Sequence, residues 1–527
     1  MSRRAWVSFW PNGFSLAVIV LLTANYFSPF GDLDYTWQIR TGEIIVRTAD
    51  IQPADHFSYT IAGRYVPDFE WLYEVILWWV WDHFGYGGLK LLKTVLVAST
   101  LLLVARRLGV AGVRWHGIAL ALAIAVAVLT PAWNLRPLYC TTLGLLAVSG
   151  WLHDHCTGRK PLPWALVPVM LVWANCHPAV ITGQALLLGA IVWEWVNSRL
   201  QVNAPQGGPA LRRLTLIGGL GLAVTFLSPH PIDRLIYPFD PNLAQPIQRV
   251  FVEMQPLYTT ITRAPYTSGL VYVVAALVAV SAVLRFRKYR AWEIALLLGL
   301  TVLANTAARA AQDWLLVMLA VGMPHVVALF REAALRDRRR PWVAALLRCD
   351  CTWRRLWDSP LLSCRWGWPG AVAGILVAAS VIPPLCWRMP VQDAPEWPAG
   401  AVAHLRQQGV RGHFFAPPDY GAYITWALGD DARCYVDTRG FFFPAALVED
   451  SHYVPQLGPD WRNRLDRILN QYPTDYFMLE TTGPRGELWR QLQPLVGQDV
   501  VYLDGQAVVL RAETVRRGVR QLDPAAR

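Results

Sequence analysis

What this sequence lacks narrows it first. It has no disulfide framework: of its eight cysteines only Cys434 lies in the polar last quarter, and a single thiol has no partner within that region. Cys140, Cys156, Cys176, Cys349, Cys351, Cys364 and Cys386 are spread through the apolar part. Cys349-Asp350-Cys351 with Cys364 lacks the second close pair of a tetrahedral metal site, and His153-Asp154-His155-Cys156 does no better, so both read as free thiols. No small-residue cleavage site follows the first apolar run, which, with Arg3 and Arg4 before it, is expected to be an uncleaved anchor. No lipidation box is visible, and no interrupted apolar segments recur in two halves, as a transporter built on repeats would show. Acidic residues are scarce over residues 1–390, 20 against 34 Arg and Lys, whereas residues 391–527 hold no lysine, 14 arginines and 17 acidic residues. The positive excess therefore lies beside apolar segments, where it sets topology and meets anionic lipid, and it does not point to nucleic acid.

What is present is apolar. With 54% hydrophobic residues, 26 Trp and repeated runs close to the ~20 residues that cross a bilayer, the chain reads as a polytopic membrane protein, and a soluble globule is excluded. Candidate spans are 14–30, 89–106, 116–133, 137–153, 162–176, 178–197, 212–228, 267–284, 291–305, 311–330 and 369–386, about eleven in all. A shorter stretch, 71–84, is interrupted by Glu74 and Asp82 and either spans or lies along the interface. Charge decides. If 71–84 does not cross and the N-terminus is cytoplasmic, the cytoplasmic segments hold 23 Arg and Lys and the external ones of the same region 8, with the basic loop 331–368 inside. Crossing at 71–84 would invert every later loop, against the positive-inside rule. Lys90 and Lys93, near the outer face, run against the trend.

That topology brings polar residues at span ends to the outer face: Asp32 and Asp34, Asn134 and Arg136, Asn175 and His177, His230 and Asp233, Asn305 and Arg309. Carboxylates at a bilayer boundary ligate a cation, take a proton or hold a charged ligand, or else merely cap a helix leaving the membrane. Arg309 lies between two apolar stretches among small residues, where no structural partner is evident from the sequence.

After Pro390 the pattern becomes mixed and polar. A helix over 398–408, short strands near 413–415, 433–437, 476–479, 500–503 and 507–511, and helices over 460–471 and 486–495 make a small extracytoplasmic α/β domain, 391–511. The Gly505 turn closes a terminal hairpin, and 512–527 reads as a loose basic tail.

Several motifs are familiar in order and spacing. Asp32-Leu33-Asp34-Tyr35-Thr36-Trp37-Gln38, Arg40-Thr41-Gly42, Asp55-His56-Phe57-Ser58-Tyr59-Thr60 and Glu70-Trp71-Leu72-Tyr73-Glu74 resemble the first external loop of bacterial GT-C-type membrane proteins. Leu135-Arg136-Pro137, Trp173-Ala174-Asn175-Cys176-His177 and Ser228-Pro229-His230 resemble their later span ends. Tyr420 to Trp426 and Val436-Asp437-Thr438-Arg439-Gly440 resemble their C-terminal domain. Two departures are Gln38, where relatives often carry His, and Ser228-Pro229-His230-Pro231 in place of Asn-Pro-Tyr-Gly. The resemblance implies a GT-C-like bundle over 1–390, with 31–88 as a long external loop, in the bacterial cytoplasmic (inner) membrane. It implies inverting transfer of a sugar from a polyprenyl-phosphate donor at the outer face, among membrane lipid. Asp34 then acts as base or metal ligand with Asp32 assisting, Arg136 or Arg309 holds the phosphate, His177 lines the cavity, and Trp37 stacks on the sugar. A Mg²⁺ or Mn²⁺ ion on Asp34 and Asp32 suits oxygen ligands. Two rival readings are a non-catalytic scaffold or assembly factor whose external domain binds a protein partner, and a transporter.

Overall fold

The computed structural model describes residues 30, 33–51, 53–113, 115–129, 134–203, 206–236, 250, 252–261, 265–336 and 397–522. Asp32, the expected span 369–386, all of the expected span 14–30 except residue 30, and most of the loop 331–368 lie outside the described residues. The other nine expected spans each coincide with a helix or part of one. Helix α1 (Asp34–Thr48) comes first, followed by α2 (Trp71–Val110), α3 (Trp115–Leu129), α4 (Leu138–Cys156), α5 (Leu166–Cys176), α6 (Val180–Leu200) and α7 (Gly208–Ala223). Then come α8 (Pro265–Leu284), α9 (Ala291–Thr306), and α10 (Ala311–Val317), which runs through the π-turn Met318–Gly322 into α11 (Met323–Arg336). Among the described residues, three helical stretches are long and apolar enough to cross a membrane: Trp71–Val110, Val180–Leu200 and Ala308–Ala333. The helices Gly117–Val128, Leu166–Cys176, Ser268–Leu284 and Ala291–Thr306 are apolar but shorter.

Close packing in the bundle depends on where side chains are missing. Trp173 of α5 fills slots at Gly144 of α4 and Gly183 of α6, where an added Cβ would come within 2.3 and 2.4 Å of its ring. Around it Leu145, Leu187, Ile217 and Leu316 are fully buried.

Helix α2 is not one straight rod. Gly85 has φ 57° and ψ −154°, a conformation open essentially to glycine alone, so 71–84 and 86–110 are two helical pieces at an angle. The first piece, about 21 Å long at 1.5 Å per residue, packs against α1. Helix α1 buries Tyr35, Gln38, Ile39, Gly42 and Ile45, the three-to-four spacing of a one-sided helix.

The C-terminal domain is α/β, as the sequence predicts. Its five strands, β1 (Gly412–Phe415), β2 (Ala432–Cys434), β3 (Tyr476–Glu480), β4 (Tyr502–Leu503) and β5 (Ala507–Arg511), form one sheet in the order β2-β1-β3-β5-β4. The pairs β1–β2 and β1–β3 are parallel; β3–β5 and the terminal hairpin β4–β5 are antiparallel. Helices α12 (Ala399–Gln407), α13 (Pro418–Leu428), α14 (Ala445–Tyr453), α15 (Trp461–Gln471) and α16 (Glu487–Val496) flank it, α13 and α14 without a counterpart in the sequence reading. The expected loose tail is corrected: Ala512–Gln521 is a helix, α17, seated on α16 through buried Val515 and Gly518, with Arg516 donating to the Leu469 carbonyl at 2.6 Å. Its few apolar residues recur at helical spacing among arginines, so composition alone hides a face that packing uses.

The first loop and this domain are not separate bodies. Phe57 and Tyr59 hydrogen-bond to Cys434 as an added edge segment of β2, at 3.0 and 3.1 Å. Phe30, Tyr35, Ile39 and Leu77 share one core with Trp397, Tyr423 and Ile424.

Candidate active site

Asp34 opens α1, so its carboxylate stands at a helix N-terminus, where the dipole favours negative charge. Arg136, just before α4, reaches it: Nη2 lies 3.2 Å from Asp34 Oδ2, and Nη1 donates to Glu253 Oε2 at 2.7 Å. Glu253 sits in a single 3-10 turn, Val252–Met254, and the next residue, Met254, accepts from Arg309 Nη1 at 3.7 Å through its sulfur. A backbone bond of 2.8 Å from Ala308 to the Gln255 carbonyl ties that turn to the 3-10 turn carrying Arg309. Four segments distant in sequence thus bring Asp34, Arg136 and Arg309 to one place.

Glu70, at the N-terminus of α2, lies between them and His177. Gln38 donates to Glu70 Oε2 at 3.1 Å, and His177 Nε2 is 3.7 Å from Glu70 Oε1. The other ring nitrogen of His177 bonds Thr141 Oγ1 at 2.7 Å, and Trp173 Nε1 donates to the same hydroxyl at 2.9 Å. Burial, then Asp68 beside it, pushes the Glu70 carboxyl up to about 8, with Arg309 opposing. Burial, then the Arg309 charge, pushes His177 down to about 3. At neutral pH this contact is therefore a protonated carboxyl facing a neutral imidazole, and not an ion pair. Burial alone would raise Glu253, yet Arg136 and Arg309 hold it below the usual carboxylate range.

The remaining expected residues divide. Trp37 lies beside Arg439 of the C-terminal domain, whose guanidinium is 5.8 Å from its ring centre. Asn175 accepts from Trp71 Nε1 at 2.8 Å, and Asn305 accepts from Tyr272 at 2.5 Å; both are tied to aromatic neighbours. Tyr65 donates to Asp233 at 2.6 Å and contacts His230 Nδ1 at 3.2 Å. Asp32 lies outside the described residues. Among the described residues, no three His, Cys, Asp or Glu side chains gather in a group that would hold a metal ion.

Sequence reasoning did not assign Glu70, Glu253 or Met254 to this place. Glu70 carried a signal, a carboxylate directly before an apolar stretch. Glu253 and Met254 carried none, because nothing local distinguishes them within the polar loop 229–266.

The oligosaccharyltransferase of Archaeoglobus fulgidus in the apo form superposes with a TM-score of 0.57 at 12% identity, over 89% of this chain and 69% of that one. The archaeal oligosaccharyltransferase AglB from the same organism, in complex with an inhibitory peptide and a dolichol-phosphate, superposes at 0.56 and 10% identity over the same shares. The fold is of the GT-C type. No protein family model matches the sequence, and no curated protein does either.

Proposed function

We propose that this chain is a membrane glycosyltransferase that moves a sugar from a polyprenyl-phosphate donor to an acceptor hydroxyl at the outer face of the bacterial cytoplasmic membrane, with inversion. The observation that carries the reading is the convergence of Asp34, Arg136 and Arg309 through the Glu253–Met254 turn. The GT-C fold supports it, as does the dolichol-phosphate bound in one of the similar structures.

The chemistry follows from placement. The acceptor oxygen attacks the anomeric carbon opposite the phosphate while its proton passes to an Asp34 carboxylate oxygen. The bond from that carbon to the phosphate oxygen breaks, and its electron pair leaves with the phosphate. The developing charge is met by Arg309, with Arg136 beside it, in a site where fixed donors need no reorganisation. Protonated Glu70 and neutral His177 offer hydrogen bonds to sugar hydroxyls, and Trp37 offers a ring face. A divalent cation at Asp34 would require Asp32 and further oxygen ligands, and no step here runs through one.

A scaffold reading has one observation in its favour: Asp34, Arg136 and Glu253 form an ion-pair chain that would also fasten α1 to the bundle. Asp34→Asn separates the two, because it keeps the shape and removes the base. Transfer from a polyprenyl-phosphate sugar should fall by on the order of 10² or more, with the melting temperature measured alongside. Unchanged transfer in a folded variant would turn the conclusion to the scaffold.

A further inference from the structure

The segment following β2 carries the C-terminal domain onto the candidate site. Two residues apart, Arg439 and Phe441 reach two of the groups assigned to substrate: Arg439 lies against Trp37, and the Phe441 ring lies 5.4 Å from the Arg309 guanidinium. The arginines of this region differ in what occupies them. Arg136 is bound to Asp34 and Glu253, and Arg439 to Asp55 and Asp437. Arg309, among the described residues, has no carboxylate within ion-pair distance, and its polar contact is the Met254 thioether, a weak acceptor. Yet its charge is felt at Glu70, His177 and Glu253, so it sits inside the cluster. A ring contact leaves the guanidinium charge uncompensated and available to an anion, whereas a carboxylate would neutralise it and take up its N–H donors.

From this we infer that Phe441 is a positioning residue: together with Met254 it holds Arg309 so that its guanidinium meets the phosphate of the lipid donor. Donor binding thereby depends on the C-terminal domain being docked. The inference rests on reading Arg309 as the phosphate clamp.

The experiment titrates the purified full chain in detergent micelles with a radiolabelled polyprenyl monophosphate carrying no sugar. Phe441→Leu keeps apolar bulk and removes the π face; it should weaken binding about 5-fold, as loss of one partly desolvated cation–π contact does. Phe441→Trp, which keeps a π face, should bind as the wild type does, and Arg309→Ala should weaken binding by about tenfold or more. The double variant Arg309→Ala/Phe441→Leu should bind no worse than Arg309→Ala alone, because Phe441 acts through that guanidinium. Wild-type binding by Phe441→Leu, or losses that simply add in the double variant, would overturn the positioning role while leaving the glycosyltransferase reading in place. Wild-type binding by Arg309→Ala would remove the clamp and the inference together.

Discussion

At the residue scale, the site places carboxyl groups of different character in one cluster. Asp34 and Glu253 face guanidinium groups, whereas Glu70 sits against Asp68 and a buried histidine and keeps its proton to about 8. Environment sets these roles, since the side chains differ by at most one methylene. The linkage has a definite sign. Between about 4.5 and 8 the unfolded chain has released the Glu70 proton and the folded chain retains it, so stability falls as pH rises through that window. For His177 the folded ring stays neutral down to about 3 while the unfolded ring protonates near its ordinary value, so stability is lost as pH falls below ~6.5. Relative to the wild type, Glu70→Gln should therefore gain stability steadily from about pH 4.5 to pH 8, by on the order of 2 kcal/mol. That figure is below the full linkage value because the Glu70 side chain is still 20% exposed. Denaturant titrations of both proteins across that range provide the check, and a pH-independent difference would be inconsistent with a protonated Glu70. The carboxylates were visible in the sequence as residue types. Their protonation was not, because it depends on burial, with Asp68 two residues away adding to it and Arg309 opposing, and both the burial and the approach of Arg309 come only with folding.

At the element scale, the decisive contact is between α1 and the first piece of α2. A Cβ on Gly42 would stand 2.1 Å from the Glu74 carbonyl oxygen and 2.9 Å from Trp78 Cβ, so the two helices approach only because residue 42 has no side chain. Gly42→Ala forces them apart, at a cost of roughly 1–3 kcal/mol for such overpacking. It also shifts Asp34 and Trp37, on one helix, relative to Glu70 on the other. The expected result is a lowered melting temperature together with reduced transfer, and wild-type values of both would show that the helices separate without consequence. Gly42 was legible as part of a motif, but its reason was not, since a close approach has no signature within one helix. The break at Gly85 was equally hidden: an apolar run reads the same whether or not the backbone turns within it. Of the candidate spans, the described helices could be anticipated from hydrophobic length.

At the scale of the whole molecule, the first external loop and the C-terminal domain are locked by a buried ion triad. Arg439 Nη2 lies 2.6 Å from both Asp55 Oδ1 and Asp437 Oδ2, and all three side chains are at most 7% exposed. Removing the cation leaves two buried carboxylates unpaired, which costs roughly 3–5 kcal/mol. Arg439→Met should thus loosen the loop from the domain, read as faster proteolysis within residues 49–70 and a lower melting temperature. Equal cleavage rates would mean that the β2 edge pairing alone holds them. The topology proposed here, with a cytoplasmic N-terminus and an external C-terminal domain, predicts that a reporter fused after Arg511 is active only outside the cytoplasm. Activity only inside would remove the outer-face site. What the sequence by itself determined was the membrane class, the α/β character of the last domain and the residue types gathered at span ends, because hydrophobic length, strand alternation and charge bias are local properties of a chain. Only the tertiary structure decided that Glu253 and Met254 join the site, that Trp37 faces Arg439, and that the domain boundary near residue 391 is bridged by a shared core. Each of these rests on contacts between segments more than fifty residues apart, whose partners no local pattern specifies.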